Sequence, residues 1–193
     1  YVTAECDWTA PYEMPDSFTI VQWKKENYET VKMTRKIAWT DSCFAEAFYV
    51  TGADEALPVD WIMHLKGEVL EGRGEVCKDT FSDRKPFSWF RNASHLEGKR
   101  IRTVLEGVVT DLYCAPLGGE IWLAEGPDNP STGMLNQVIV RRRGKEVCFL
   151  SVVESHQGEP VIDHVEFLQE PDGSWRICVT EQDGRKRIFD MSI

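Results

Sequence analysis

An all-β fold, an antiparallel β-sandwich with one short helical segment, is what this sequence predicts, and three observations lead there. Apolar residues recur at every second position through most of the chain. Clusters rich in Gly, Asp and Pro separate the runs, and a helical period shows only around Phe87 to Leu96. Period-two alternation between turns is what a sheet with one buried face requires, because successive side chains point to opposite sides of the pleat.

Taken in order, the first run places Val31, Met33, Ile37 and Trp39 on one face and Lys32, Thr34 and Lys36 on the other. A Thr40-Asp41-Ser42 turn leads into a strand with Phe44, Phe48 and Val50 on one face, and Val59-Trp61-Met63-Leu65 follows. Trp122 falls in a strand just before the Glu125-Gly126-Pro127 turn, and Val138 and Val140 share the face that Arg142 continues. The last runs are Val147-Phe149-Val153, Val161-Val165-Phe167, Trp175-Ile177-Val179 and Phe189-Met191-Ile193. Pro171-Asp172-Gly173 and Gln182-Asp183-Gly184 supply turn chemistry between the final strands. The stretch from Lys145 to Val153 is apolar on both faces, which predicts a central strand covered on both sides. Inward alternation assigns Trp39, Trp61 and Trp175 to the core.

Two charges interrupt this pattern. Arg35 lies on the face of Val31, Met33, Ile37 and Trp39, and Glu46 on that of Phe44 and Phe48. A hairpin turn at Asp41-Ser42 makes them diagonal neighbours, and the expectation is a half-buried ion pair that satisfies both charges.

With 193 residues the chain is long enough to bury a core without staples, and no linker or repeat divides it, so one domain over 1–193 is expected. The sequence starts at Tyr1 without an initiating Met, as an excised segment or processed product would. A formal charge of −10 argues against generic nucleic-acid binding and against a highly sulfated glycan as an easy ligand. No run approaches the roughly 18 apolar residues of a membrane span. Six cysteines are widely spaced with no C-x-x-C pair; mostly free thiols are expected, and the even count keeps disulfides open.

Several blocks in order resemble the C-terminal β-sandwich of the heparinase II/III family of polysaccharide lyases. They are Val31 to Ile37 with its inward Arg35, Val59-Asp60-Trp61-Ile62-Met63-His64, Phe87 to Asn92, Leu123 to Pro130, and Val138 to Glu154. The second is similar to a Y-D-W-x-x-H strand of the family, and the blocks together span about Val31 to Pro160. The resemblance implies an extracellular, cell-surface or periplasmic parent protein with a helical toroid upstream. It also implies an H-x-H-x-D motif, which nothing here matches: His64, His95, His156 and His164 are scattered, and Leu57 stands where many relatives place a His. No catalytic residue carries across, and catalysis by this chain alone is not expected, since elimination on a uronate needs a base, an acid and carboxylate neutralisation.

Candidate ligand contacts cluster at Trp89, Phe90, Arg91 and Asn92, with His95 and Trp122. Rings stack on sugars, Arg pairs with carboxylates, and an amide serves hydroxyls, so the set suits an acidic polysaccharide; equally, the aromatics would pin a loop to the sandwich. Trp8, near the N-terminus, suits a ligand contact and the cover of a sheet edge equally. Arg141, Arg142 and Arg143 with Lys145 alternate in direction and are read as a structural strand end. Asp79, Asp83, Asp128 and Asn129 are loop oxygens of the kind that hold Ca²⁺, but they lack EF-hand spacing, and no cofactor is expected. Two readings remain. One is a non-catalytic carbohydrate-binding module; the other is a supporting sandwich that packs on an attached helical catalytic domain.

Overall fold

The computed structural model describes residues 1–7, 29–77, 87–128 and 133–193. Among the described residues fifteen strands run in chain order: β1 (Val2–Asp7), β2 (Lys32–Trp39), β3 (Cys43–Thr51), β4 (Val59–Leu65), β5 (Glu68–Glu71), β6 (Arg73–Val76), β7 (Arg91–Leu96), β8 (Arg100–Leu105), β9 (Val108–Cys114), β10 (Glu120–Pro127), β11 (Met134–Arg142), β12 (Glu146–His156), β13 (Ile162–Gln169), β14 (Trp175–Glu181) and β15 (Lys186–Asp190). They form a seven-stranded central sheet in the order β1-β2-β3-β12-β9-β8-β5, a five-stranded facing sheet β4-β11-β10-β7-β6, and a three-stranded third sheet β13-β14-β15. The paired strands are antiparallel.

The all-β antiparallel expectation is met, but two layers were expected and there are three. Alternation along β12 explains why. Val147, Phe149 and Val153 pack with Trp61, Leu65, Leu123, Val138 and Val140 of the facing sheet. Between them, Leu150 and Val152 point the other way and pack with Ile162, Ile177, Val179, Phe189 and Met191 of the third sheet. A strand that is apolar on both faces is thus buried on both, as its sequence required. On β3, Ala45 and Ala47 share this second core, and such small side chains leave room for Phe189 and Met191.

The helical segment shrinks to a single 3-10 turn, Phe87–Trp89, and Arg91–Leu96 is strand β7. Pairing of β7 with both β10 and β6 overrides the weak local helical period. Trp39 was assigned to the core and is instead 60% exposed. Alternation gives it the correct face, yet among the described residues the core between the central and facing sheets draws only Val31 and Met33 from this face of the strand. Trp61 is buried and Trp175 packs at the margin of the second core, as expected. Both expected late turns form, with Gly173 at φ 87° and Gly184 at φ 82°, a left-handed conformation that glycine adopts without a Cβ clash. The cysteines Cys6, Cys43, Cys77, Cys114, Cys148 and Cys178 are all free thiols. Among the described residues no helix is long and apolar enough to cross a membrane.

The interruption at Arg35 and Glu46 resolves as the register demands. Arg35 stands opposite Phe48 and Glu46 opposite Ile37, so the two are diagonal neighbours. Arg35 Nε donates to Glu46 Oε1 at 2.7 Å, and Trp61 Nε1 reaches across from the facing sheet to the same oxygen at 3.2 Å.

Candidate functional site

The expected ligand residues gather mainly on the outer face of the facing sheet. Register places Ile62, Ile139, Trp122 and His95 in one row across β4, β11, β10 and β7. One row along, Asp60, Arg141 and Glu120 lie side by side, and Arg141 donates to both Asp60 oxygens at 2.8 Å. His95 and Trp122 meet at a tilt of 35° with ring centroids 3.8 Å apart, and Trp122 Nε1 donates to Glu120 at 3.2 Å.

The 3-10 turn folds back over this face. Phe87 and Phe90 meet edge to face at 5.6 Å, and the Arg141 guanidinium lies 5.5 Å from the Phe87 ring centre. Phe90 packs with Ile62 and Trp122 onto Ala93, Ala124 and Ile139. Gly126 makes this possible, because a Cβ there would stand 2.9 Å from the Phe90 ring. Phe90 therefore pins the turn to the sheet, one of the two roles open to it. Trp89 is left 54% exposed beside it.

Across a bulge in the pairing of β7 with β10, Arg91 stands opposite Glu125, and Ala93 and His95 share the outer face. Asn92 does not: it takes a left-handed φ of 50°, and its side-chain amide donates to Glu125 at 2.8 Å. Its carbonyl accepts from Arg73 at 3.1 Å, so Asn92 belongs to an Arg73–Glu125 network at the sandwich rim. Of the expected set, Phe90, His95 and Trp122 come together, Trp89 is exposed on the turn before them, Arg91 stands opposite Glu125, and Asn92 turns away. Arg143 donates to the Ala56 carbonyl at 2.7 Å, in keeping with a structural strand end. Trp8, Asp79, Asp83 and Asn129 lie outside the described residues; Asp128 pairs with Lys66 at 3.4 Å.

Sequence reasoning missed one polar cluster, Asp111, Glu154 and His156, buried where β9 and β12 meet the third sheet. Asp111 accepts from Arg102 Nε at 2.7 Å and Nη2 at 2.8 Å, and His156 Nε2 lies 3.2 Å away. That hydrogen bond lifts the Arg102 pKa above its ordinary value. Glu154 accepts from the backbone N–H groups of Val161 and Ile162. Such a donor set fits a metal poorly, since an arginine already fills the position a cation would take. Its work is to hold the turn into β13. Pairing of Arg102 with Asp111 across β8 and β9 was visible only once the strands were in register.

Fold and surface together define a layered β-sandwich with an aromatic outer face. No protein-family model matches the chain, and no curated protein is similar to it. Among solved structures it resembles a heparinase III, with a TM-score of 0.59 and 16% identity over 86% of this chain. The same protein with methylated lysines gives a TM-score of 0.57, and a mutant of the heparan sulfate lyase HepC from Pedobacter heparinus gives 0.56 at 10% identity. This chain shares their fold over one region: it spans 24% of the length of each.

Proposed function

We propose that this chain is a carbohydrate-binding β-sandwich related to polysaccharide lyases, and that it grips an acidic, uronate-containing polysaccharide on the outer face of the facing sheet. The observation that carries this reading is Trp89, an indole more than half exposed on the turn whose Phe90 packs with Trp122. Trp89 and Trp122 supply ring surface to sugars, and Arg91 supplies a guanidinium to a carboxylate. Phe90 acts as the anchor of the turn, and no catalytic role is assigned. An extracellular, cell-surface or periplasmic setting goes with this reading.

A second reading draws on a separate fact. Because the chain spans only 24% of the proteins it resembles, it would also serve as a supporting domain packed on a helical catalytic partner. Retention of the domain in gels containing alginate, pectin, chondroitin sulfate or heparin separates the two. Binding predicts retardation by alginate or pectin that Trp89→Ala weakens severalfold. No retardation on any gel would refute the binding reading and leave the supporting one. An absorbance assay for unsaturated uronate on the same panel is expected to stay flat.

A further inference from the structure

The end of β11 and the third sheet border a cleft of about 900 Å³, which shares Glu120 and Arg141 with the margin of the outer face of the facing sheet. Arg142 and Trp175 both line it. Alternation explains the arginine: it continues the face of Val138 and Val140, so the strand delivers a cation to the end of the core.

That cation is poorly compensated. Its Nη1 donates to the Leu117 carbonyl at 3.0 Å and its Nη2 to the Ala115 carbonyl at 3.1 Å. The guanidinium carbon lies 5.4 Å from the Phe149 ring centre, and Nε is buried without a hydrogen-bond partner. Among the described residues no carboxylate pairs with it. Burial pushes its pKa down, whereas the hydrogen bond with Asp60 lifts that of Arg141 next door. Two carbonyl dipoles and a ring face do not neutralise a guanidinium, and a partly buried cation without a counter-ion is costly to keep.

The rest of the lining narrows what would complete it. Trp175 offers an indole of the kind that packs on a sugar ring, and Glu120 and Glu146 also line the cleft. Those two carboxylates repel a dense polyanion and accept hydrogen bonds from hydroxyls. We propose that this cleft is a second binding site, for a sugar acid with one carboxylate per ring: the carboxylate meets Arg142, the ring face meets Trp175, and hydroxyls face Glu120 and Glu146.

Titration of ¹⁵N-labelled protein with galacturonate and, separately, with galactose tests this. Galacturonate is expected to shift the Arg142 Nε–H and Trp175 indole N–H resonances saturably, with galactose leaving Arg142 in place. Arg142→Gln is expected to weaken galacturonate binding in this cleft at least tenfold with the far-UV spectrum unchanged. Should Arg142→Gln not fold, Trp175→Ala must produce the tenfold loss. Absence of both shifts, equal shifts with galactose, or undiminished affinity in a folded variant would overturn the proposal. The binding reading of the Trp89 face stands or falls separately, on the gels.

Discussion

Removal of Arg35 should cost this protein more than removal of Glu46, although the two form one ion pair. Glu46 is 2% exposed between the central and facing sheets, while its partner is 47% exposed at the side-chain level. In Arg35→Met the carboxylate stays buried with one indole N–H, and stranding a buried charge costs about 3 kcal/mol at the low end of the usual range, which the exposed cation end favours. In Glu46→Leu the freed guanidinium swings into water at little cost. What remains is the orphaned Trp61 N–H, worth about 1–2 kcal/mol. The double variant should cost no more than Glu46→Leu alone, because no charge is left behind, so the coupling energy is about 3 kcal/mol. For a chain of this size Tm should fall by about 6–12 °C in Arg35→Met and by about 2–8 °C in Glu46→Leu. Urea unfolding followed by tryptophan fluorescence measures the three values. Single costs that add to within about 0.5 kcal/mol in the double variant, or a larger loss in Glu46→Leu, would refute the argument.

Four further outcomes follow from the packing. Glu154→Ala should cost about 2–3 kcal/mol and speed hydrogen exchange at Val161 and Ile162, whose N–H groups it holds; unchanged protection there would contradict the assigned role. Gly126→Ala should displace Phe90 and cost about 1–3 kcal/mol, visible as a change in near-UV dichroism, since the new Cβ would lie 2.9 Å from that ring. Burial pushes the thiols of Cys114 and Cys148 from 9.0 up to about 12, so the native state holds their protons more tightly than the unfolded chain. Stability from this source is complete below pH 9 and declines as pH rises towards 12, which urea midpoints at pH 8 and 10.5 would show; a rise in midpoint would be the wrong sign. In the native protein iodoacetamide should label exposed Cys6 and spare Cys114.

Much of this architecture was legible in period two. Strands rich in β-branched and aromatic residues, β3, β4, β12 and β14, announced themselves, as did the turns at Gly173 and Gly184. Short or polar strands did not: β5, β6 and β8 carry Glu and Arg, and their pairing comes from neighbours far along the chain. The Phe87 to Leu96 stretch misled because its apolar spacing fits a helix by chance and owes its conformation to β10.

Alternation assigns each residue to a side of its strand, and from this the all-β class, the double-faced burial of β12 and the Arg35–Glu46 pairing could be read directly. It says nothing of which sheet covers that side, or whether any does. Tertiary structure decided that a third sheet caps the central one, that Trp39 is exposed while Trp61 is not, and that Asn92 serves the rim while Trp89 faces outward. It also decided that, among the described residues, Arg142 would sit without a carboxylate, since Asp60 lies opposite Arg141, one position away. Coverage and charge pairing are relations between distant segments, and they exist only once the strands have come into register.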